Sequence, residues 1–105
     1  MTDQVGREVP FPEPMQGEWI DIDDPSGELH IDGGEVSYQG SAIDYDYKLI
    51  GHEEGALTVD LKVNDPARED TFQRENLTGL VIDPQGDFHG FNVKFASQFV
   101  RPEQA

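Results

Sequence analysis

The sequence predicts an all-β fold, an antiparallel meander of roughly eight strands that forms a closed or nearly closed barrel. Apolar and polar residues alternate through residues 42–50 and again through residues 56–63. A period of two is typical of strands that bury one face and leave the other in water. Glycine, proline and aspartate separate the apolar runs at near-regular intervals, as they do in sheets built from hairpins.

Each predicted strand follows from a short apolar run. In residues 42–50 the odd-numbered side chains, Tyr45 and Tyr47 among them, are expected to face inward, and Lys48 is expected to face outward. Residues 65–70 are expected to form no more than a short turn of helix. The predicted strands are residues 19–23, 28–31, 35–39, 42–50, 56–63, 72–83, 87–95 and 97–101.

Two of the turns repeat one recipe. Residues 24–27 and residues 83–86 both place aspartate first, proline second and glycine fourth. Proline presets the backbone of a type I turn, and the aspartate side chain can accept hydrogen bonds from backbone amides that follow it. Both segments are therefore predicted to be tight turns between antiparallel strands.

The N-terminal residues 1–15 are set apart from the barrel domain, residues 16–105. Pro10, Pro12 and Pro14 exclude a helix and favour an extended segment. Two interpretations stay open for this segment. It is either a loose leader, or a strap in which Phe11 and Met15 close one end of the domain.

The charge and composition exclude several classes of partner. The chain carries 22 acidic against 7 basic residues, a net charge of −15, so nucleic acid and anionic membranes are expected to be repelled. No apolar run approaches the roughly 20 residues needed to span a bilayer, and no export signal precedes the domain, so a cytoplasmic location is expected. The sequence has no cysteine, which excludes disulfides and thiol chemistry.

Metal and catalytic sites are not expected either. His30 with Asp32, and Asp87 with His89, form two pairs that each share a strand face, but a meander would put them at opposite ends of the fold. No serine lies in a nucleophile motif, and no glycine-rich phosphate loop is present. We therefore expect no metal, no other cofactor and a function without catalysis.

The aromatic residues suggest a binding site inside the barrel. Inward aromatic side chains in a barrel of about eight strands either fill the interior or line one small cavity. The second case predicts a small apolar or amphipathic ligand, and the first predicts a plugged core. The residues expected to touch such a ligand are Trp19, Tyr38, Tyr45, Tyr47, Phe91 and Phe95.

A family resemblance adds to this hypothesis. The sequence Gly17-Glu18-Trp19 at the start of the first barrel strand, and Arg101 after the last, resemble the lipocalin-type (calycin) barrels. In that family the tryptophan lies at the closed end of the barrel and an arginine packs over its ring. The resemblance implies a cation–π contact between Trp19 and Arg101 with a structural role. The chain is much shorter than a typical lipocalin and lacks the second family motif.

The acidity supports a rival hypothesis and a neutral one. An inhibitor or decoy for a basic protein would use its outer carboxylates, and the expected contacts are Asp44, Asp46, Asp60 and Glu75. Adaptation to salty surroundings would explain the same charge without a partner. If the barrel does not close, its unpaired edge strands would favour a homodimer.

Overall fold

Ten antiparallel strands form one sheet that curls into an open half-barrel in the computed structural model, which describes residues 2–94 and 96–104. The order of strands across the sheet is β1-β6-β7-β8-β9-β10-β2-β3-β4-β5. The strands are β1 (Thr2–Gly6), β2 (Gly17–Asp21), β3 (Glu28–Asp32), β4 (Glu35–Tyr38), β5 (Ser41–Ala42), β6 (Tyr47–Glu53), β7 (Ala56–Lys62), β8 (Gly79–Ile82), β9 (Phe88–Phe91) and β10 (Ala96–Val100). One helix, α1 (Pro66–Glu75), lies between β7 and β8, and short 3₁₀ turns cover Glu13–Met15 and Pro102–Gln104.

The prediction of an all-β antiparallel fold is confirmed, but the strand count and the closure are wrong. The run predicted as one strand, residues 42–50, divides into β5 and β6. The Ile43 amide donates to the Val36 carbonyl of β4 at 2.9 Å, whereas the Asp46 amide donates to the Lys62 carbonyl of β7 at 2.8 Å. The chain thus leaves one neighbour and joins another, and the sheet stays open between its edge strands β5 and β1.

This division also shifts which side chains face the core. Tyr45 and Lys48 are both completely buried, a spacing of three that breaks the predicted alternation. In the β6–β7 register Lys48 lies opposite the buried Leu61, so Tyr47, its chain neighbour, lies on the outer face opposite Lys62. The inward prediction is therefore correct for Tyr45 and wrong for Tyr47, and the outward prediction is wrong for Lys48.

The segment predicted to be a strand from residue 72 begins as helix instead. The Asp65 carboxylate accepts a hydrogen bond from the Ala67 amide at 2.9 Å and caps the helix start, where Pro66 occupies the first turn. Phe72 is the buried side chain of α1 and joins the core. The aspartate–proline start therefore overrides the apolar alternation, and β8 begins only at Gly79.

The N-terminal segment belongs to the folded structure. β1 pairs with β6, and Phe11 and Met15 are both buried in the core, as the strap interpretation predicts. The Gln16 carboxamide accepts from the Gly33 amide at 2.8 Å and donates to the Phe11 carbonyl at 3.0 Å. These bonds hold the segment against the turn between β3 and β4.

Both predicted aspartate–proline turns form as expected. The Gly27 amide donates to the Asp24 carbonyl at 2.8 Å, and the Gly86 amide donates to the Asp83 carbonyl at 2.9 Å. Each aspartate carboxylate also accepts from the amide two residues later, Ser26 at 3.1 Å and Gln85 at 2.9 Å. The repeated sequence is thus one local turn geometry used at two places.

One continuous apolar cluster occupies the concave side of the half-barrel. Its members come from nearly every strand, from α1 and from the N-terminal segment, which means that the interior is filled by the protein's own side chains. The buried members are Phe11, Met15, Trp19, Leu29, Ile31, Val36, Ile43, Tyr45, Val59, Leu61, Val63, Phe72, Leu77, Leu80, Phe88 and Phe99.

Phe91 lies on the outer face rather than in this interior. In β9 the buried residues are Phe88 and Gly90, so Phe91 points to the opposite side of the sheet. Its ring covers Gly79 of β8, the residue directly across from it, and a Cβ at Gly79 would overlap that ring. The predicted inward face of β9 is wrong at Phe91, because the alternation there runs through Phe88.

We expect Gly79→Ala to lower the free energy of unfolding by about 1–3 kcal/mol, because the added methyl group collides with the Phe91 ring. Urea denaturation of Gly79→Ala, Phe91→Ala and the double variant measures this coupling. In the Phe91→Ala background the same glycine substitution should cost much less. Equal costs in both backgrounds would contradict the position of Phe91 on the outer face.

Candidate functional site

The contact between Trp19 and Arg101 that the resemblance implied is present. The guanidinium carbon of Arg101 lies 3.8 Å from the centre of the Trp19 ring, within the range of a cation–π contact. The Phe88 ring packs edge-on against Trp19 with centroids 4.3 Å apart, and the indole Nε1 donates to the Met15 carbonyl at 2.9 Å. Trp19 is therefore held on all these sides by the protein itself, which is a structural role.

The remaining predicted ligand-binding residues do not form one site. Tyr45 is completely buried in the core, and Tyr47 and Phe91 lie on the outer face. Tyr38 is half-buried and lines a cleft at one end of the half-barrel. Phe95 lies outside the described residues. Of the predicted set, only Tyr38 thus lines this cleft among the residues that the structure describes.

A buried polar cluster holds the open edge of the sheet where Tyr45 sits. The Lys48 ammonium donates to the Gly6 carbonyl at 2.8 Å and to the Tyr45 hydroxyl at 3.1 Å. The Tyr45 hydroxyl in turn donates to the Gly34 carbonyl. Because Gly6 ends β1 and Gly34 precedes β4, these side chains link the two sides of the open edge where no strand ladder does.

Arg7 covers this cluster from outside. Its Nη2 and Nε donate to the two carboxylate oxygens of Glu35 at 2.7 and 3.0 Å, a bidentate ion pair. Its Nη1 donates to Asp44 and, at 3.1 Å, to the Tyr45 carbonyl. A single arginine therefore connects the end of β1 with β4 and with the segment that follows β5.

Burial and charge shift the ionisation of this cluster. Burial, followed by the nearby Glu35 charge, raises the pKa of Tyr45 to about 12. Burial lowers the pKa of Lys48. The hydrogen bond from Arg7 lowers the pKa of Glu35. Tyr45 and Lys48 are sealed from solvent, so the cluster stabilises the fold and offers no reactive group to a ligand.

The end cleft is the more accessible feature, with a volume of about 280 Å³. The buried side chains of Ile43 and Leu77 and the half-buried Tyr38 form its apolar part. Polar side chains complete its lining: Gln39, Ser41, Arg74, Glu75, Asn76, Asn92 and Lys94. A volume just under the usual range for ligand pockets suits a small molecule with apolar and polar parts.

Three different elements position the polar wall of the cleft. Asn76 follows the last turn of α1, and its side-chain amide donates to the Phe72 carbonyl at 3.1 Å. The Asn92 side-chain amide donates to the Asn76 carbonyl at 3.0 Å, and its oxygen accepts from the Lys94 amide at 2.7 Å. Asn92 thus fixes the β9–β10 connection against the end of the helix.

Sequence reasoning missed most of this cleft because it placed a strand over residues 72–83. The cleft depends on α1 ending at Glu75, where the chain turns back into the core through Leu77. The signal that could have revealed the helix is the pair Asp65-Pro66, a helix cap followed by proline in the first helical turn. Nothing in the sequence brings residues 92–94 beside that helix end.

The histidine pairs lie apart on the sheet. His30 belongs to β3 and His89 to β9, and two strands, β2 and β10, separate them. The His89 Nε2 lies 3.1 Å from the Asp83 carboxylate within its own turn. Across residues 2–94 and 96–104, no three histidine, aspartate or glutamate side chains are grouped so that they could share a metal ion.

Comparisons with known proteins add no name to this geometry. Neither a protein-family model, nor a curated protein, nor a solved structure matches the chain. In the part of the chain that the structure describes, no helix has the length and apolar character required to cross a bilayer.

Replacing Tyr45 and Tyr47 by phenylalanine should separate the two faces of this segment. Tyr45→Phe removes a hydroxyl that Lys48 and the Gly34 carbonyl use, and we expect a loss of about 1–3 kcal/mol in the free energy of unfolding. Tyr47→Phe, the matched control on the outer face, should change it by less than about 0.5 kcal/mol. Urea denaturation at neutral pH measures both, and equal losses would contradict the assignment of faces.

The contribution of Tyr45 should also depend on pH. Because its pKa is raised to about 12 in the folded state, the neutral phenol stabilises the fold below pH 10, and that stability is lost as pH rises toward 12. The gap in stability between the native protein and Tyr45→Phe should therefore shrink across this window, by up to about 3 kcal/mol. Urea denaturation at pH 7, 10, 11 and 12 measures it, and a gap that stays constant would refute the raised pKa.

Proposed function

We propose that this domain is a non-catalytic binding module that holds a small amphipathic ligand in the end cleft. The cleft supports this more than the barrel interior does, because buried side chains of the core cluster occupy the concave side of the sheet. The proposal keeps the ligand class that the sequence suggested and moves the ligand to the end of the half-barrel. Tyr38 is the predicted contact residue that the new position retains.

The single observation that supports the proposal is the mixed lining of the cleft. Ile43 and Leu77 offer apolar surface at the wall nearest the core, and Asn76 and Asn92 offer polar groups at the helix end. Binding pockets usually combine an apolar lining with a few fixed polar groups that orient the ligand. The hydrogen bonds of Asn92 fix those groups before a ligand arrives, which reduces the entropy cost of binding.

The rival proposal, an acidic inhibitor of a basic protein, is supported by the net charge of −15. Its expected contacts are partly engaged within the fold. Asp44 pairs with Arg7 and lies 3.8 Å from Arg68, and Asp46 lies 3.9 Å from Arg68. Asp60 lies on the outer face of β7 and Glu75 lines the cleft, so the four carboxylates do not make one surface. This makes the inhibitor the second candidate.

Three expectations from the sequence stay predictions. The resemblance to the lipocalin-type barrels is supported by the Trp19–Arg101 contact, which occurs with an open sheet instead of a closed barrel. A homodimer is supported by the two edge strands, β1 and β5. A cytoplasmic location is supported by the sequence reasoning given above.

Titration with benzyl alcohol, a small neutral amphipathic probe, tests the cleft proposal. We expect millimolar binding that shifts the amide NMR signals of residues lining the cleft, such as Tyr38, Leu77 and Asn92. Ser41→Trp should block the cleft and weaken these shifts, because Ser41 is an exposed residue of its lining. Ser26→Trp, an equally exposed serine in the β2–β3 turn, is the matched control and should leave them unchanged.

Either of two outcomes would overturn the cleft proposal. The first is the absence of localised shifts at probe concentrations of tens of millimolar. The second is equal binding by Ser41→Trp and Ser26→Trp. Retention of a basic protein on the immobilised domain at low salt, lost at high salt, would then favour the inhibitor.

A further inference from the structure

We propose that the ligand of the end cleft is a small organic acid whose one negative charge lies between Lys94 and Arg74. This inference rests on the proposed function and adds the chemical class of the ligand. It is unexpected from composition, since a chain with a net charge of −15 should repel anions. The argument therefore depends on how the few basic residues are distributed in the fold.

Most basic side chains are committed elsewhere. Arg7 holds Glu35 and Asp44, and Lys48 is buried within the core cluster at the open edge. Arg68 faces Asp44 and Asp46, and Arg101 packs on Trp19. These side chains are therefore occupied by contacts that hold the fold together.

Lys94 differs from them because it is exposed, lines the cleft, and has no carboxylate partner. Within residues 2–94 and 96–104, no carboxylate lies within 4.0 Å of its ammonium group. An unpaired cation is notable where acids outnumber bases by 22 to 7. The hydrogen bond between the Lys94 amide and the Asn92 side chain fixes the backbone that carries it.

Arg74 contributes a second cation from the opposite element of the cleft, the last turn of α1. Its Nε pairs with Asp70 at 3.2 Å, one turn earlier in the helix. That ion pair leaves the two Nη groups of the guanidinium for other acceptors. A carboxylate fits such a group well, because its two oxygens match adjacent guanidinium N–H donors.

The charges that line the cleft sum to a single positive charge. Lys94 and Arg74 are opposed by Glu75, which lines the same cleft. Asn76, Asn92 and Ser41 add neutral groups that can donate hydrogen bonds to an anion. A site of this kind favours a monoanion over a neutral ligand and over a dianion, while the apolar part at Ile43 accepts the carbon skeleton.

The test compares two probes of nearly equal shape, benzoate and its neutral amide, benzamide. Amide NMR shifts of cleft residues report the dissociation constant of each probe at constant ionic strength. We expect benzoate to bind about threefold to fivefold more tightly than benzamide, the size of effect that an exposed ion pair gives. Lys94→Gln should abolish this preference, and Glu75→Gln should increase it.

Lys62→Gln is the matched control for Lys94→Gln. It removes the same charge from the outer face of β7, so any change in the overall field of the protein is equal in the two variants. The preference for benzoate should persist in Lys62→Gln. Its loss in both variants would show a general charge effect and overturn the inference.

The outcomes separate this inference from the proposed function. Binding of benzyl alcohol and benzamide at the cleft, with benzoate no tighter, would refute the charge preference and leave a neutral ligand as the occupant. Failure of all three probes to shift the cleft residues would refute the proposed function itself. Tight benzoate binding with shifts away from Lys94 and Arg74 would also overturn the inference.

Discussion

The open edge of the sheet is the constraint on which the rest of this structure depends. Two edge strands, β1 and β5, have no ladder between them, yet apolar side chains fill the space behind them. A buried lysine solves this problem, because its ammonium donates to carbonyl and hydroxyl oxygens from both sides of the gap. Burying a cation is costly unless each of its donors finds a partner, so the positions of Gly6, Gly34 and Tyr45 are all fixed by Lys48. The bidentate pair between Arg7 and Glu35 covers the cluster and shields it from water.

This arrangement explains how a chain with so many acids keeps a stable edge. Basic residues are few, and those at the edge are placed where one side chain contacts several elements. Arg7 reaches β4 and the segment after β5, and Arg68 of α1 reaches the same segment through Asp44 and Asp46. The edge therefore carries a local balance of charge that the composition as a whole does not show. The remaining acids lie largely on exposed turns and strand faces, where water and salt screen their repulsion.

The cleft arises from the same economy of a short chain. Helix α1 is ten residues long, and it packs through Phe72 over one part of the core. Where the helix ends, the chain re-enters the core at Leu77 and leaves a recess between the helix end, β4–β5 and the β9–β10 connection. Asn92 bridges two of these walls, so the recess has fixed sides although its residues come from distant parts of the sequence. Rigid surroundings and adjustable rim residues are what a binding site needs.

The sequence by itself determined the strand class, the two aspartate–proline turns, the strap formed by Phe11 and Met15, and the contact of Arg101 with Trp19. Each of these follows from short-range rules or from a local motif, because side-chain period and turn chemistry are set by near neighbours in the chain. The tertiary structure alone decided where residues 42–50 leave β4 for β7, which reverses the faces of Tyr47 and Lys48. It also decided that residues 66–75 form a helix and that Lys94 lies beside its end. These outcomes depend on which distant strand offers the better hydrogen-bond and packing partner, and an apolar pattern read along one chain does not contain that comparison.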